Sequence, residues 1–561
     1  MGAVSLLPGP GTCPASVPAT RTLESLGPIA DGLAVDLAHL IEGLSRPSAY
    51  AHPTGDIDVR QTHISLVFLA GDHAYKIKKP VNFGFLDFTR LEDRHRVCLD
   101  EVRLNRRLAP GVYLGVVPIV QGASGLVIEG EGEVVEWAVK MRRLPDGATL
   151  AAAMEHGEPV HDRLEAVAAR VASFHRTAGR GPHVAALGKF DVVAGNAREN
   201  FAQCAPEVGI TVSAPAYEEL RALTESSLAE LRPLIDGRAK RGVPCDGHGD
   251  LRLEHVYFFP NEPPPGDLVI IDCLEYTERF RFADPVADMA FMAMELLFAG
   301  HTEEARVFTD AYFRMSGDEE GRRLLPFYVA YRSVVRGKVR GFELREAEIP
   351  AARRIRSLER AKAHFLLALG LLAAPPRRPV LALVGGLPGT GKSTLARGLA
   401  ERAGFEVIRS DVVRKEIAGL AARESAASAW RSGLYADEWT RRTYDEIRSR
   451  AEQALFEGKR VAVDASFGRE TLRIDLLETA RLLAVPAVIF FCDAPSEQVL
   501  ARLADRRDDA SDADAMVYES ARKAWEPFGA KTRGAVIKLD ASDAERACAQ
   551  AMTALRQRGW M

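Results

Sequence analysis

The sequence has few cysteines and no long apolar run. Only seven of its 561 residues are cysteine, and because none forms a C-x-x-C pair, neither a disulfide framework nor a cysteine zinc site is indicated. No apolar run approaches the roughly 20 residues of a membrane span, so we expect no membrane partner. Residues 1–22 break their apolar positions with proline and glycine and lack a basic region, which favours a disordered tail over a signal peptide. These absences indicate a cytoplasmic protein.

An excess of positive charge is also missing. The formal net charge is −4, from 73 basic and 77 acidic residues, which argues against a nucleic-acid partner. At about 100–200 residues per domain, the length predicts more than one domain. A proline-rich linker at residues 373–379 separates stretches of different pattern, and we expect few contacts to cross it. Composition leaves the oligomeric state open.

The most informative stretch joins a strand to a helix through glycines. Residues 380–384 form an apolar run typical of a buried strand, and the next residues follow the phosphate-loop pattern G-x-x-x-x-G-K-[ST]. In such a loop backbone N–H groups turn toward phosphate, the lysine reaches the β- and γ-phosphates, and the serine hydroxyl ligates Mg²⁺. The pattern predicts that ATP and Mg²⁺ bind through Gly386, Gly389, Thr390, Gly391, Lys392, Ser393 and Thr394.

Strands and helices alternate after this loop. Further predicted strands are residues 405–408, 460–463, 487–491 and 535–539. This rhythm predicts a parallel sheet with helices on both faces, so we expect residues 380–561 to form an α/β P-loop NTPase domain.

The second predicted strand leads into Asp411-Val-Val-Arg414. This D-x-x-R pattern resembles the acceptor site of P-loop kinases of the polynucleotide-kinase, zeta-toxin and gluconate-kinase types. The resemblance implies that Asp411 orients and deprotonates an acceptor hydroxyl while Arg414 binds the acceptor or its phosphate. The alternative is that Asp411 is a helix N-cap with an arginine in its first turn.

Asp464 ends the third predicted strand and looks like a Walker-B aspartate that holds Mg²⁺ through water. Ala465 follows it instead of a glutamate, which favours transfer to an acceptor over hydrolysis. Arg502 and Arg506, one helical turn apart, resemble lid arginines that stabilise the moving phosphoryl charge. Alternatively they belong to a solvated basic face that pairs with Asp505, Asp508 and Asp509.

Four short sequence motifs in the first half follow one another in a defined order. Lys76 and Lys78 share one face of a predicted strand at 73–79, and Glu101 lies in a predicted helix at about 89–108. The loop His248-Gly-Asp250-Leu-Arg252-Leu-Glu-His255 and a strand ending at Asp272 follow, with Asp284-Pro-Val-Ala-Asp288 downstream. This order, across about residues 62–344, resembles protein kinases and, more closely, the aminoglycoside phosphotransferase and choline-kinase-like family.

The resemblance implies an α+β bilobal protein-kinase-like fold for residues 23–372, with a small β lobe at about 23–145 and a helical lobe at about 146–372. It also implies residue roles. Lys76, with Lys78 as the second candidate, would hold the ATP phosphates and Glu101 would position it. Asp250 would accept the acceptor proton, Arg252 would lie near the transferring phosphoryl group, and Asp272 would ligate Mg²⁺. The recurrent Phe174-His175 pair is expected to be structural.

His255 departs from that family, which has an asparagine metal ligand at this position. Imidazole is a poor ligand for Mg²⁺. We therefore expect residues 23–372 to bind ATP, to turn over slowly with Mg²⁺, and to work better with Mn²⁺.

Taken whole, the chain resembles bacterial bifunctional proteins in which an aminoglycoside phosphotransferase domain is fused to an ATP-binding P-loop domain. The resemblance implies ATP- and Mg²⁺-dependent transfer to a hydroxyl of a small molecule, with the P-loop domain the stronger candidate catalyst. Two alternatives stay open. The first domain is a pseudokinase or partner-binding module that controls the second, or the protein is a toxin-like kinase of nucleotide sugars.

The sequence does not name the acceptor, because acceptor pockets carry no general code. It does argue against aminoglycosides as substrates of the first domain, since these polycations need an acidic pocket. A helix of that domain carries arginines at a spacing of four, Arg332, Arg336 and Arg340, with Lys338 beside them. This stripe suits an anionic acceptor or partner if it faces the cleft, and otherwise it is a solvated face.

Overall fold

The computed structural model describes residues 36–82, 86–123, 125–346, 349–420, 436–505 and 514–561. It divides into two compact units, Met1–Val102 with Val112–Arg143 and Arg103–Gly111 with Leu144–Met561. The tail predicted at residues 1–22 and the predicted lid residue Arg506 lie outside the described residues. Among the described helices, none is both long and apolar enough to cross a bilayer.

The first unit is built on a six-stranded antiparallel sheet in the order β1-β2-β3-β6-β4-β5. Its central strands are rich in β-branched and aromatic residues and are mostly buried. The polar edge strand β1 was not predicted from the sequence. The elements are α1 (Leu37–Leu44), β1 (Asp58–Gln61), β2 (Ser65–Ala70), β3 (His73–Lys78), α2 (Leu91–Asn105), β4 (Tyr113–Gly122), β5 (Gly125–Ile128) and β6 (Glu133–Arg142).

The second unit begins with helices around a large apolar core. Short strands interrupt them and carry the loops on which Asp250 and Asp272 lie. The elements are α3 (Leu150–Glu155), α4 (His161–Thr177), α5 (Pro182–Leu187), α6 (Phe190–Cys204), α7 (Ala214–Lys240), β7 (Cys245–Asp246), β8 (Val256–Phe258), β9 (Leu268–Ile270), α8 (Glu278–Arg281), β10 (Phe282–Ala283), α9 (Pro285–Phe298), α10 (Thr302–Ser316), α11 (Leu325–Glu343) and α12 (Ala351–Leu372).

A parallel sheet follows in the same unit, in the order β12-β13-β11-β14-β15. Along β11, alternate residues enter the cores on the two faces of the sheet, so the predicted parallel sheet with helices on both faces is confirmed. The elements are β11 (Leu381–Gly385), α13 (Lys392–Ala403), β12 (Glu406–Arg409), α14 (Ser410–Ile417), α15 (Asp437–Phe456), β13 (Val461–Asp464), α16 (Glu470–Leu482), β14 (Ala487–Asp493), α17 (Ser496–Ala504), α18 (Ala515–Lys523), α19 (Ala530–Arg533), β15 (Val536–Asp540) and α20 (Ala544–Gln557).

Many contacts cross the predicted linker, so the expectation of few is wrong. Phe365, Leu366 and Leu369 of α12 share one core with β11, β12 and β13. Ser213 Oγ also donates to Phe456 O at 2.8 Å across the linker. The physical reason is that one face of the sheet is covered in part by helices that precede residue 373. The predicted domain boundaries themselves stay a prediction.

We predict that Leu369→Ala destabilises the whole second unit. Leu369 is 3% exposed and contacts the turn at Gly458, where a β-carbon would lie 2.8 Å from Leu369 Cδ2. Removing its side chain leaves a cavity and costs about 2–5 kcal/mol of the free energy of unfolding. The measurement is chemical denaturation of the full-length protein.

Ile355→Ala is the matched control, because Ile355 lies in the same helix and is 60% exposed. Its expected cost is within about 0.5 kcal/mol. Equal effects of the two substitutions would show that α12 does not contribute to a shared core.

Candidate functional sites

The phosphate loop connects β11 to α13 through left-handed backbone. Gly386, Gly389 and Gly391 have φ of +145°, +79° and +98°, and a β-carbon on Gly386 would lie 2.6 Å from Cys492 O. A side chain is therefore excluded at Gly386. Because α13 begins at Lys392, the positive end of its dipole and its first N–H groups lie at the loop. This geometry suits a phosphate chain.

Side chains of the loop hydrogen-bond to its own backbone. Lys392 Nζ donates to Leu387 O at 2.9 Å, and Thr390 Oγ1 donates to the same carbonyl at 2.8 Å. The lysine ammonium therefore lies over the loop. Phosphate oxygens would take the place of this carbonyl as its acceptors.

The residues predicted to hold Mg²⁺ in the second half already enclose a cation. The guanidinium of Arg409, at the end of β12, has Nε at 3.3 Å from Asp464 Oδ2 and Nη2 at 3.3 Å from Ser393 Oγ. Asp464 is buried, and it pairs in register with Val384 of β11 and with Arg409. A hydroxyl and a carboxylate are hard oxygen donors, so the pair fits Mg²⁺. Arg409 was not predicted as a site residue, and its position directly after the second predicted strand was the available signal.

Asp411 is the second residue of α14, and the N-cap position belongs to Arg409. The N-cap interpretation of Asp411 is therefore wrong. Arg414 is buried one turn later on the same helix. Burial raises the pKa of Tyr444, and the charge of Arg414 lowers that pKa while the charge of Asp411 raises it. Phe467 N donates to the Tyr444 hydroxyl at 3.2 Å.

Arg502 lies beside the phosphate loop but is held by backbone carbonyls. Its Nη1 donates to Ala541 O at 2.9 Å and its Nη2 to Ser542 O at 2.7 Å. A β-carbon on Gly391 would lie 3.8 Å from Nη1. The role of Arg502 toward the phosphoryl group stays a prediction.

In the first unit one glutamate binds two lysines. Glu101 Oε1 lies 2.8 Å from Lys76 Nζ, and its Oε2 lies 2.6 Å from Lys78 Nζ. The side chains of Glu101 and Lys78 are completely buried, whereas 14% of the Lys76 side chain is exposed. Of these two lysines, Lys76 is thus the one whose side chain keeps some exposure, and the choice between them as the phosphate lysine stays a prediction.

In the second unit the buried carboxylate of Asp288 holds the loop that carries Asp250. It accepts from His248 N at 2.6 Å, from Gly249 N at 2.8 Å and from His175 Nε2 at 3.0 Å. Burial alone would raise the pKa of Asp288, but the hydrogen bond and charge of His175 and the His248 N–H hold it well below its usual range. Phe174-His175 is therefore structural, as predicted.

His248 joins the loop of Asp250 to the strand before Asp272. Burial lowers the pKa of His248 to about 4, so the ring is neutral at pH 7. Its Nε2 lies 3.0 Å from Ile271 O, and its Nδ1 accepts from Asp250 N at 3.3 Å. Because a carbonyl only accepts, the ring proton is on Nε2. One neutral imidazole thus fixes the spacing of the two loops.

Three predicted residues meet at these loops. Asp250, His255 and Asp272 each offer a ligand atom, and these atoms lie within 4.8 Å of one another. His255 Nδ1 lies 2.9 Å from Asp250 O and donates to it, and Nε2 lies 3.6 Å from Asp272 Oδ2. This donor set of two carboxylates and one imidazole fits a divalent cation, with the nitrogen favouring ions softer than Mg²⁺.

Arg252 turns away from open solvent. Its Nε donates to Glu295 Oε1 at 3.0 Å, and its Nη1 lies 2.5 Å from Glu254 Oε1.

The prediction of an arginine stripe on one helix is partly wrong, because Arg332 is buried and donates to Ala287 O at 2.9 Å. Arg332 thus connects α11 to α9. The four-residue spacing of the arginines did not identify which face of α11 is exposed to solvent. Lys338 bonds the side-chain oxygens of Asn200 and Gln203, each at 2.7 Å.

Comparison with known proteins shows relatives that match most of the chain. The uncharacterized proteins Rv2004c of Mycobacterium tuberculosis and Mb2027c of Mycobacterium bovis are each 35% identical to the chain over 470 residues, which is 83% of this chain and 90% of theirs. The chain belongs to the family of these mycobacterial proteins. Residues 381–528 match the AAA domain family. That match contains the phosphate loop, Asp411 and Asp464, so the predicted P-loop nucleotide-binding domain is confirmed.

Solved structures show weaker similarity. A choline/ethanolamine kinase family protein from Mesorhizobium loti is 16% identical, with 57% of this chain and 94% of that chain covered and a TM-score of 0.33. A gluconokinase from Sinorhizobium meliloti is 16% identical, with 32% and 93% covered and a TM-score of 0.25. The aminoglycoside-phosphotransferase-like half of the predicted arrangement stays a prediction.

We predict that Asp288→Asn lowers the free energy of unfolding by about 3 kcal/mol, because it breaks a buried charged hydrogen-bond network. Asp310→Asn is the matched control. Asp310 is 42% exposed and forms ion pairs with Arg306 and Arg322, which contribute less than about 1 kcal/mol. The measurement is denaturant unfolding of both full-length variants at pH 7. Equal losses in the two variants would show that Asp288 does not hold the loop.

Proposed function

We propose that the protein is an ATP- and Mg²⁺-dependent phosphotransferase that moves the γ-phosphate to a hydroxyl of a small molecule, with residues 380–561 as the main catalyst. The supporting observation is the arrangement around the phosphate loop. The Arg409 cation lies between Ser393 and Asp464, where Mg²⁺ is expected, and the next residues of the chain lead to Asp411 and Arg414.

Each residue then has a distinct task. The loop N–H groups and Lys392 hold the phosphate chain, and Asp411 accepts the proton of the acceptor hydroxyl. The hydroxyl oxygen attacks the γ-phosphorus, the bond to the β-phosphate oxygen breaks, and ADP leaves. Arg414 binds the acceptor. Mg²⁺ held by Ser393 and Asp464 would offset the negative charge of the β- and γ-phosphates.

For residues 23–372 we propose a bilobal kinase-like fold with a second, slower phosphotransferase activity. Lys76 is favoured over Lys78 as the phosphate lysine because Lys78 is completely enclosed. Asp250 would accept the acceptor proton, and Asp272 with His255 would hold the metal. A regulatory role for this half is the second candidate, and the observation that favours it is the imidazole of His255 in the metal group.

Variants of the full-length protein test the main proposal, because the shared core argues against using the two halves separately. Transfer is measured with radiolabelled ATP in a metabolite screen. Lys392→Ala should lose nucleotide turnover by at least about 100-fold, since the phosphate chain loses its main charged partner. Asp411→Asn should keep ATP binding and lose about 100-fold or more of the transfer rate.

Lys531→Ala is the control, since Lys531 is an exposed residue of the short helix α19. Transfer by Asp411→Asn at the wild-type rate would remove Asp411 from the acceptor site. If Asp250→Asn rather than Lys392→Ala abolishes turnover, the first half is the main catalyst.

A second prediction concerns the metal of the first half. In a Lys392→Ala background, His255→Asn should raise Mg²⁺-dependent transfer several-fold and reduce the advantage of Mn²⁺, because an amide oxygen replaces the imidazole nitrogen. The measurement compares the transfer rate and the metal affinity with Mg²⁺ to those with Mn²⁺. If His255→Asn slows transfer with Mg²⁺, His255 has a catalytic role of its own.

A further inference from the structure

Four arginines of the second unit act electrostatically on one buried histidine. Burial holds the pKa of His364, in α12, well below its usual value, so the ring is neutral. Four arginines lower this pKa further, namely Arg336, Arg360, Arg340 and Arg252. They come from α11, α12 and the loop after Asp250, so three separate elements bring positive charge to one place.

Two of these arginines have carboxylate partners. Arg252 Nε donates to Glu295 Oε1 at 3.0 Å, and its Nη1 lies 2.5 Å from Glu254 Oε1. Arg340 Nη1 donates to Glu343 Oε1 at 2.9 Å, whereas its buried Nε has no hydrogen-bond partner among the described residues. The same oxygen of Glu343 also accepts from Arg353 at 3.3 Å. The carboxylates therefore neutralise the cluster only in part.

The other two arginines carry the excess charge. In the part of the chain that the structure describes, neither Arg336 nor Arg360 makes a hydrogen bond or an ion pair. Arg336 is half-buried, and Arg360 lies 5.5 Å from the ring centre of Phe298, which stacks on His364 at 3.8 Å. Arg360 is exposed, whereas the half-buried Arg336 has no directly paired carboxylate, and an anionic ligand would offset the cost of burying its charge.

The cluster lies next to the proposed base. Arg252 lies two residues after Asp250 and donates to Glu295 of α9. Phe298, one turn further along α9, stacks on His364 at 3.8 Å. Burial and the charge of Arg252 lower the pKa of Arg336 to about 10, while Asp250 opposes this shift. We infer that Arg336, Arg340 and Arg360 bind an oxyanion of the acceptor, which is therefore a small hydroxyl compound that already carries a phosphate or carboxylate group. This inference rests on the phosphotransferase role proposed above for residues 23–372.

The reaction is the same transfer with a negatively charged acceptor. The acceptor hydroxyl loses its proton to Asp250, its oxygen forms a bond to the γ-phosphorus of ATP, and the bond to the β-phosphate oxygen breaks to release ADP. The arginines take no part in bond breaking. They place the hydroxyl beside Asp250 by holding the anionic end of the molecule, and they repel polycations.

Anion binding tests the site without catalysis. Inorganic phosphate is titrated calorimetrically into the full-length Lys392→Ala protein, in which the phosphate loop is weakened. Arg336→Gln should weaken binding by about 10-fold or more, and Arg336→Lys should retain more affinity than Arg336→Gln. Asp250→Asn should tighten binding several-fold, because a neighbouring negative charge is removed.

Arg314→Gln is the matched control. Arg314 lies on α10, its side chain is 59% exposed, and it pairs with Glu165. Equal phosphate affinities in the Arg336→Gln and Arg314→Gln proteins, or no phosphate binding in the Lys392→Ala protein, would overturn the inference.

Transfer assays in the same background separate the anion sources. Glucose 6-phosphate and glucuronate represent the phosphate and carboxylate classes, glucose is the neutral match, and kanamycin is the polycation. Radiolabelled phosphate should be transferred to glucose 6-phosphate or to glucuronate, and Asp250→Asn should abolish that transfer. Label in glucose or kanamycin but in neither anion would contradict the inference. If phosphate binding depends on Arg336 and no probe is labelled, the anion site stands and the phosphotransferase role of this half fails.

Discussion

The hydrogen bonds to one buried carboxylate position the loop that bears Asp250. Asp288 accepts two backbone N–H groups of that loop and one imidazole N–H. The neutral ring of His248 then ties the loop to the strand that precedes Asp272. Each polar group in this network is buried, so a missing partner would leave another group without a hydrogen bond. The proposed base and metal ligands depend on this small network for their spacing.

The sequence predicted those features that fixed spacing or strict alternation encodes. The phosphate loop has defined positions, and the strands around it are apolar runs separated by helical patterns, so their parallel arrangement followed directly. The antiparallel strands of the first unit were mostly found, with ends displaced by a few residues. The edge strand Asp58–Gln61 was missed because it is polar and largely exposed. Its position is set by pairing with β2, which no local pattern reveals.

Charge partners were harder to predict, because they depend on which elements lie side by side. Arg409 lies between Ser393 and Asp464 only because β12, β13 and β11 are neighbours in the sheet. Arg332 shares its helical spacing with Arg336 and Arg340, yet it donates to a carbonyl in the core. Composition also marked residues 373–379 as a boundary, although apolar side chains on both sides share a core. A proline-rich segment marks a break between secondary-structure elements, whereas side-chain packing decides which elements share a core.

The helix α12 contributes residues both to the arginine cluster and to the core beneath the parallel sheet. His364 and Arg360 lie in the arginine cluster, whereas Phe365, Leu366 and Leu369 pack under the parallel sheet. Helices shift as nearly rigid bodies within a close-packed interior. A rotation of α12 large enough to alter the arginine cluster would therefore also displace side chains beneath the strands that precede Arg409 and Asp464. The arginine cluster and the parallel sheet thus share a mechanical element, and a ligand that shifts α12 at one of them is linked thermodynamically to the other.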